Sequence, residues 1–264
     1  MKLIRFDLRH DPGTVRSGII QSGKVYETDG SAGVAMHDVS EVRPLVPVKG
    51  AASLRIFDTR FQPDLLERTP EEPPRYHYAN SANIFGPNQS IPFPYAATQL
   101  VAVPFLVGIS LGEGFRAEPS ETDGLVLGIT VGLGLFDGPS VERARASGIA
   151  YGGQLDFGFA LGPAVTTPDE LDDYVQSEDF GRAYGLQCRM KLNGVEIAAG
   201  STETLPFTLA QAIAGASQSA PVRTTDLFAL GPLIDPLQLP DLSPGDEVTA
   251  IIETVGALST RIGD

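Results

Sequence analysis

Two stretches limit what this chain can become: TQLVAVPFLVGIS at 98–110 and TDGLVLGITVGLGLF at 122–136. Both are rich in β-branched residues and broken by glycine too often for a helix. Neither alternates apolar with polar residues. A strand with no polar face is buried on both sides, so other segments must cover each face of its sheet. The 29 glycines and 21 prolines punctuate short apolar runs elsewhere, the pattern of a turn-rich β protein.

Hairpins are expected at SGIIQSGKVYET (17–28), around Ser22-Gly23, and at CRMKLNGVEIAAG (188–200), where Asn193-Gly194 supplies the positive φ angles of a two-residue turn. LSPGDEVTAIIETVGALSTRI (242–262) reads as a turn, a strand, a Gly break and a final strand. Helices are few. TPDELDDY (167–174) has Thr167 as cap, Pro168 in the first turn and Glu170 three residues after the cap. LPFTLAQAIAGAS (205–217) puts Phe207, Leu209, Ile213 and Ala216 on one face, and SVERARASG (140–148) is a third candidate. The proline-rich ERTPEEPPR (67–75) suggests a boundary between a small N-terminal domain, 1–70, and a larger one, 71–264. The expected class is mostly β, α+β, with a few short helices.

Composition excludes several functions. With 19 basic and 33 acidic residues, a net charge of -14 suits neither nucleic acid nor anionic membranes. No apolar run approaches a membrane span, and the opening MKLIRFDLRHD lacks the core of a signal peptide, so a cytoplasmic protein is expected. Cys188, the single cysteine, sits in an alternating strand and reads as a buried thiol.

Several motifs fail on inspection. GISLG (108–112) has the form of a nucleophile elbow, but Pro and Gly stand where its helix should run, and His10, His37 and His77 all precede Ser110. GLGLFDG (132–138) misplaces the last glycine of a dinucleotide fingerprint. Clustered His and Cys for a transition metal are absent, and the candidate strands at 98–110 and 126–136 carry no carboxylate.

YHYANSANIFGPNQSIPFP (76–94) is the densest polar-aromatic segment. It, GLVLGITVGLG, DFGFALGPAVTTPDEL, LNGVEIAAGSTETLPFTLAQAI and LSPGDEVTAIIETVGAL together resemble, in their order along the chain, the fumarylacetoacetate hydrolase family. The resemblance covers most of 50–262 and implies a mixed β-roll, a homodimer and a divalent metal held by carboxylates. The sequence departs from that pattern at the chemistry. Leu100 and Ala102 stand where active relatives carry two glutamates, and Gly134 where they carry the ligating aspartate. The family's lysine falls near Gly153 and its water-activating histidine near Pro63.

Leu, Ala and Gly offer no side-chain oxygen to a hard cation. The expectation is therefore no metal or other cofactor, and a drier, more apolar pocket for a small-molecule ligand. His77, Tyr78 and Glu203 are the candidate catalytic groups. Tyr76, Asn80, Asn83, Leu100, Ala102, Gly134, Gln154, Asp156 and Thr202 are the candidate pocket residues. Tyr78 and Asn80 also have a purely structural reading, and strand alternation sets His77 on the side opposite Tyr76 and Tyr78. Three functions follow: a repurposed metal-independent cyclase, isomerase or lyase acting on an apolar or polyketide-like carbonyl compound; a non-catalytic ligand-binding or regulatory homologue; or a C–C bond hydrolase using an unrecognised site.

Overall fold

A computed structural model describes residues 1–28, 35–59, 74–95, 97, 99–147 and 157–264, apart from the side chains of 144 and 145. The N-terminal part contributes β1 (Lys2–Leu8), β2 (Asp11–Gln21), β3 (Lys24–Glu27), β4 (Met36–Asp38) and β5 (Val42–Pro44). The middle contributes β6 (Ser53–Asp58), β7 (His77–Ala79), β8 (Ile84–Phe85), β9 (Ser90–Ile91), β10 (Leu100–Ser110), α1 (Pro119–Thr122), β11 (Val126–Asp137), α2 (Gly138–Ala146) and β12 (Phe159–Thr166). After these come β13 (Val175–Ser177), β14 (Ala183–Tyr184), β15 (Gln187–Leu192), β16 (Val195–Ser201), α3 (Leu209–Ser219), β17 (Asp226–Gly231), β18 (Glu247–Ile252) and β19 (Gly256–Ile262).

The long sheet runs β4-β3-β2-β1-β12-β11-β10-β17-β6-β7, with β5 on β1 and β8 on β12. A second sheet, β16-β15-β18-β19-β9, shares its core, so that Cys188, Met190, Ala250 and Leu258 join Val103, Val107 and Leu133 in one apolar cluster. β10 is buried along its whole length and β11 along nearly all of it, as strands without a polar face require. The fold is mostly β with few short helices.

Both expected hairpins form. Ser22 and Gly23 have φ of 49° and 76°, and Asn193 and Gly194 have 51° and 82°, the left-handed pair that a tight turn between twisted strands needs. Thr208 caps α3: its hydroxyl accepts from Gln211 N (3.1 Å), while Gln211 Oε1 accepts from Thr208 N (3.0 Å). The segment after Thr167 is a 3-10 helix, Pro168–Tyr174, and not an α-helix. Thr167 is engaged elsewhere, with its hydroxyl donating to Met1 O (2.9 Å).

The expected boundary between residues 70 and 71 lies outside the described residues. Ile4, Phe6, Leu8, Val25, Val42 and Ala164 do form a separate small core. However, β6 lies between β17 and β7 inside the long sheet, so the chain has entered the larger body by Ser53. β1 also pairs with β12, Lys2 opposite Thr166, which makes the small unit an extension of that sheet. Among the described residues, no helix is long and apolar enough to cross a membrane.

Candidate functional site

Antiparallel pairing determines which side chains share a face. Val101 lies opposite Phe136, Val103 opposite Gly134, Phe105 opposite Gly132 and Val107 opposite Thr130. Directly opposed residues project from the same side. Leu100, Ala102, Leu106 and Gly108 therefore project from the other side, where Gly108 meets Leu209 of α3. This corrects the expectation that Leu100, Ala102 and Gly134 line one pocket. The residues that share Gly134's face are Val101 and Val103, one position along from each of the first two.

On that face Phe105 packs against Phe136, with centroids 6.0 Å apart, and against Phe159, at 5.8 Å. Glycine makes this possible. A Cβ on Gly134 would lie 3.1 Å from Phe136 Cε2 and 3.2 Å from Phe105 Cε2, and one on Gly132 would lie 2.8 Å from Phe159 Cζ. The aromatic rings thus fill the space into which a side chain at 134 would project.

A cavity of about 660 Å³ opens beside these rings, with Val101 and Phe136 in its lining. Pro139 and Val141 of α2 form one wall, and Pro236, Leu237 and Leu239 the other. Among the described residues its polar groups are the Gln99 amide and the carboxylates of Glu142, Asp235 and Asp241. Two aspartates hold the walls in place. The buried Asp137 accepts from Gln99 N (2.9 Å) and Ser140 N (3.0 Å), tying the entrance of β10 to the first turn of α2. Asp235 Oδ1 accepts from Leu237 N (3.0 Å) and caps the 3-10 turn Pro236–Gln238. None of these cavity groups was among the candidates from sequence. Only the strand-to-helix junction LFDGPSVE carried a signal for them.

The opening tyrosines lie across the sheet. Tyr78 is opposite Arg55, which pairs with Phe228 and through it with Gly108, on the Leu100 side. Arg55 is buried between the rings of Tyr76, Tyr78 and Phe228, at 5.8, 5.5 and 5.3 Å from its Cζ. Its Nη1 lies 2.9 Å from Asp226 Oδ2. Asp226 also accepts from Ser53 Oγ (2.7 Å) and Arg223 N (2.8 Å). Burial works against the guanidinium charge, but Asp226 and then Tyr78 outweigh it and raise the Arg55 pKa. Desolvation, followed by the Tyr78 hydroxyl, raises the Tyr76 phenol. Tyr76 and Tyr78 form a cage for a buried cation here.

His77 lies opposite Ile56, which pairs with Ala229 and through it with Val107, so it projects from the Gly134 side, though it does not line the cavity. Asn80 Oδ1 accepts from Ala82 N (2.9 Å), and Asn83 O accepts from Phe159 N (3.3 Å), so the two pin the loop before β8. Thr202 is a buried strap: it accepts from Leu186 N (2.9 Å) and donates to Tyr184 O. Glu203 is exposed and receives a hydrogen bond from Gln176 Nε2.

Thr202 and Glu203 do line a cavity, but a separate one of about 190 Å³, with Leu106 and Leu230 on the Leu100 side. Gln154 and Asp156, together with Gly153 and Pro63, lie outside the described residues. Ser110 is buried and donates to Gly112 O (3.0 Å), which rules it out as an elbow nucleophile. Cys188 is buried, and desolvation pushes its thiol up to about 12. Among the described residues, no group of three or more His, Cys, Asp or Glu could hold a metal ion.

Comparison with known proteins places this geometry in context. The family profile described as fumarylacetoacetate (FAA) hydrolase C-terminal matches residues 56–263. Solved structures that align over the whole chain include the following three. One is 5-carboxymethyl-2-hydroxymuconate delta-isomerase from Mycobacterium smegmatis, 19% identical with TM-score 0.80, covering 100% of this chain and 98% of the other. Another is fumarylacetoacetate hydrolase from Exiguobacterium antarcticum, 17% identical with TM-score 0.79, covering 100% and 99%. The third is maleylpyruvate hydrolase from Sphingobium sp. SYK-6 in complex with manganese (II) ion and pyruvate, 16% identical with TM-score 0.74, covering 100% and 99%. No curated protein sequence matches.

Proposed function

The chain belongs to the fumarylacetoacetate hydrolase family, and we propose that within it this protein is a metal-independent enzyme of the isomerase, lyase or cyclase type, acting on an apolar carbonyl compound in the cavity beside Phe136. One observation carries the reading: Gly134 and the rings of Phe105 and Phe136 occupy the place where the family's ligating aspartate would project. The facing positions on β10, one residue along from Leu100 and Ala102, are Val101 and Val103. Hydrocarbon cannot hold a cation that demands about six oxygen ligands. The donor set does not fit the family's metal, and no step of the proposed reaction uses one.

The chemistry left to the cavity is proton transfer. Gln99 can donate from its amide to a carbonyl oxygen and support the enol form. A carboxylate on the wall, for which Glu142 is our choice, takes a proton from the carbon next to the carbonyl and returns it at that carbon or a conjugated one. The C–H electron pair moves into the enol and then back to carbon, so the isomerisation needs no oxidant or co-substrate. A non-catalytic binding role is the second reading. It is favoured by the exposure of Glu142, Asp235 and Asp241 at the cavity's edge, where water competes with any substrate. A homodimer is part of the proposal under either reading.

Exchange of α-protons tests it. Neutral aryl ketones in D₂O, followed by ¹H NMR, should lose α-proton signal faster with the protein than without it, and Glu142→Gln should abolish the gain. Equal rates with and without protein would leave only the binding role.

A further inference from the structure

Asp137 is the last residue of β11, and α2 begins immediately after it. Its side chain is fully buried, and its two oxygens take backbone donors from two different elements. Oδ1 accepts from Gln99 N (2.9 Å) at the entrance of β10, and Oδ2 accepts from Ser140 N (3.0 Å) in the first turn of α2. The second bond caps the helix, reaching from the residue before it to the amide three places on. The first bond has no part in capping. It ties the residue that brings an amide to the cavity to the helix that brings Glu142, and Gly138 N, donating to Gln99 O (3.3 Å), closes the same joint from the other side. Arg143 braces that turn, with Nη2 donating to Ser140 Oγ (2.7 Å) and lying 3.9 Å from Asp137 Oδ2. Asp137 does not line the cavity, so it does not meet a ligand there.

Resting on the proposed reading of this cavity as a site of proton transfer, we infer that Asp137 is its positioning residue, setting the Gln99 amide against the Glu142 carboxylate. The reaction needs a donor at the carbonyl oxygen and a base at the adjacent carbon of one substrate. Those two atoms are a fixed distance apart, so the two protein groups must be as well, and an error of about 1 Å can cost on the order of a hundredfold in rate. Gln99 and Glu142 are exposed residues on separate elements, and their spacing is inherited from the backbones that carry them. Asp137 joins those backbones through one buried carboxylate. Affinity depends on the joint far less, because Val101, Phe136, Pro236, Leu237 and Leu239 line the cavity from elements other than α2.

Exchange of α-protons in neutral aryl ketones, measured over a range of ketone concentrations, separates rate from affinity. Asp137→Ser keeps a hydroxyl to cap Ser140 N but lacks the second oxygen that holds Gln99 N. Asp137→Asn keeps the shape and one accepting oxygen. Each should lower kcat on the order of tenfold or more with KM within about twofold of the parent, while urea titration still shows a cooperative transition. Thr208→Ala supplies the comparison, since it removes the cap of α3 and should cost stability with kcat unchanged. Asp137 variants that exchange at the parental kcat, or that do not fold, would make Asp137 a structural cap and overturn the positioning role while leaving the cavity chemistry intact. A parent protein that gives no exchange above buffer would overturn the cavity reading, and this inference with it.

Discussion

Returning a carboxylate to position 134 is the sharpest perturbation of this site. In Gly134→Asp the new Cβ lies 3.1 and 3.2 Å from the edges of Phe136 and Phe105, and the carboxyl group must then pass between them. Overpacking of this kind costs about 1–3 kcal/mol. An ionised carboxylate among hydrocarbon with no partner adds about 3 kcal/mol or more, or else is forced into its neutral form. The sum, about 4 kcal/mol or more, is a large part of the stability of an ordinary domain, about 5–15 kcal/mol. Urea titration should show a midpoint well below that of the parent. Gly134→Ala should lose only about 1–2 kcal/mol, since it meets the rings without the charge. Adding Phe105→Leu to Gly134→Ala should restore part of that loss, because the two changes share one space. A Gly134→Asp protein as stable as the parent would refute the packing argument.

Other outcomes follow from groups away from the cavity. Asp226→Asn strands the buried Arg55 charge and should cost about 3–5 kcal/mol by urea titration, whereas replacing both residues with apolar ones should recover most of it; equal losses would show that the pair is not a unit. Arg43 and then the Gly13 amide hold the Asp7 carboxyl below its ordinary 3.8 in the folded state. Its contribution is full above that value and lost as pH falls through the folded one, so the stability gap between parent and Asp7→Asn should be constant near neutrality and vanish in acid. With its thiol pushed up to about 12, Cys188 should resist thiol reagents at pH 8 until the protein is unfolded, and prompt labelling of the native protein would contradict its burial.

The sequence made the framework legible because its strongest signals are local. Strands such as Leu100–Ser110 and Val126–Asp137 declare themselves by β-branched content, and Asn193-Gly194 by the one turn it suits. The site was harder to read because it depends on register. A shift of one residue moves a side chain across a sheet, and nothing in TQLVAVPFLVGIS says that Val101 and Val103, rather than Leu100 and Ala102, face Gly134. Tyr76 and Tyr78 looked like pocket residues because their partner, Arg55, lies over twenty residues earlier and meets them only through the pairing of β6 with β7. Asp235 and Asp241 come from a segment without motif character and meet Glu142 only in space.

Whether hydrocarbon has replaced the family's cation-holding oxygens can be measured directly. Equilibrium dialysis of the purified protein against Mn²⁺ or Mg²⁺, followed by elemental analysis, should leave well under one equivalent per chain, at the same level in the parent and in Val101→Ala. One tightly held equivalent per chain would contradict the account at its root.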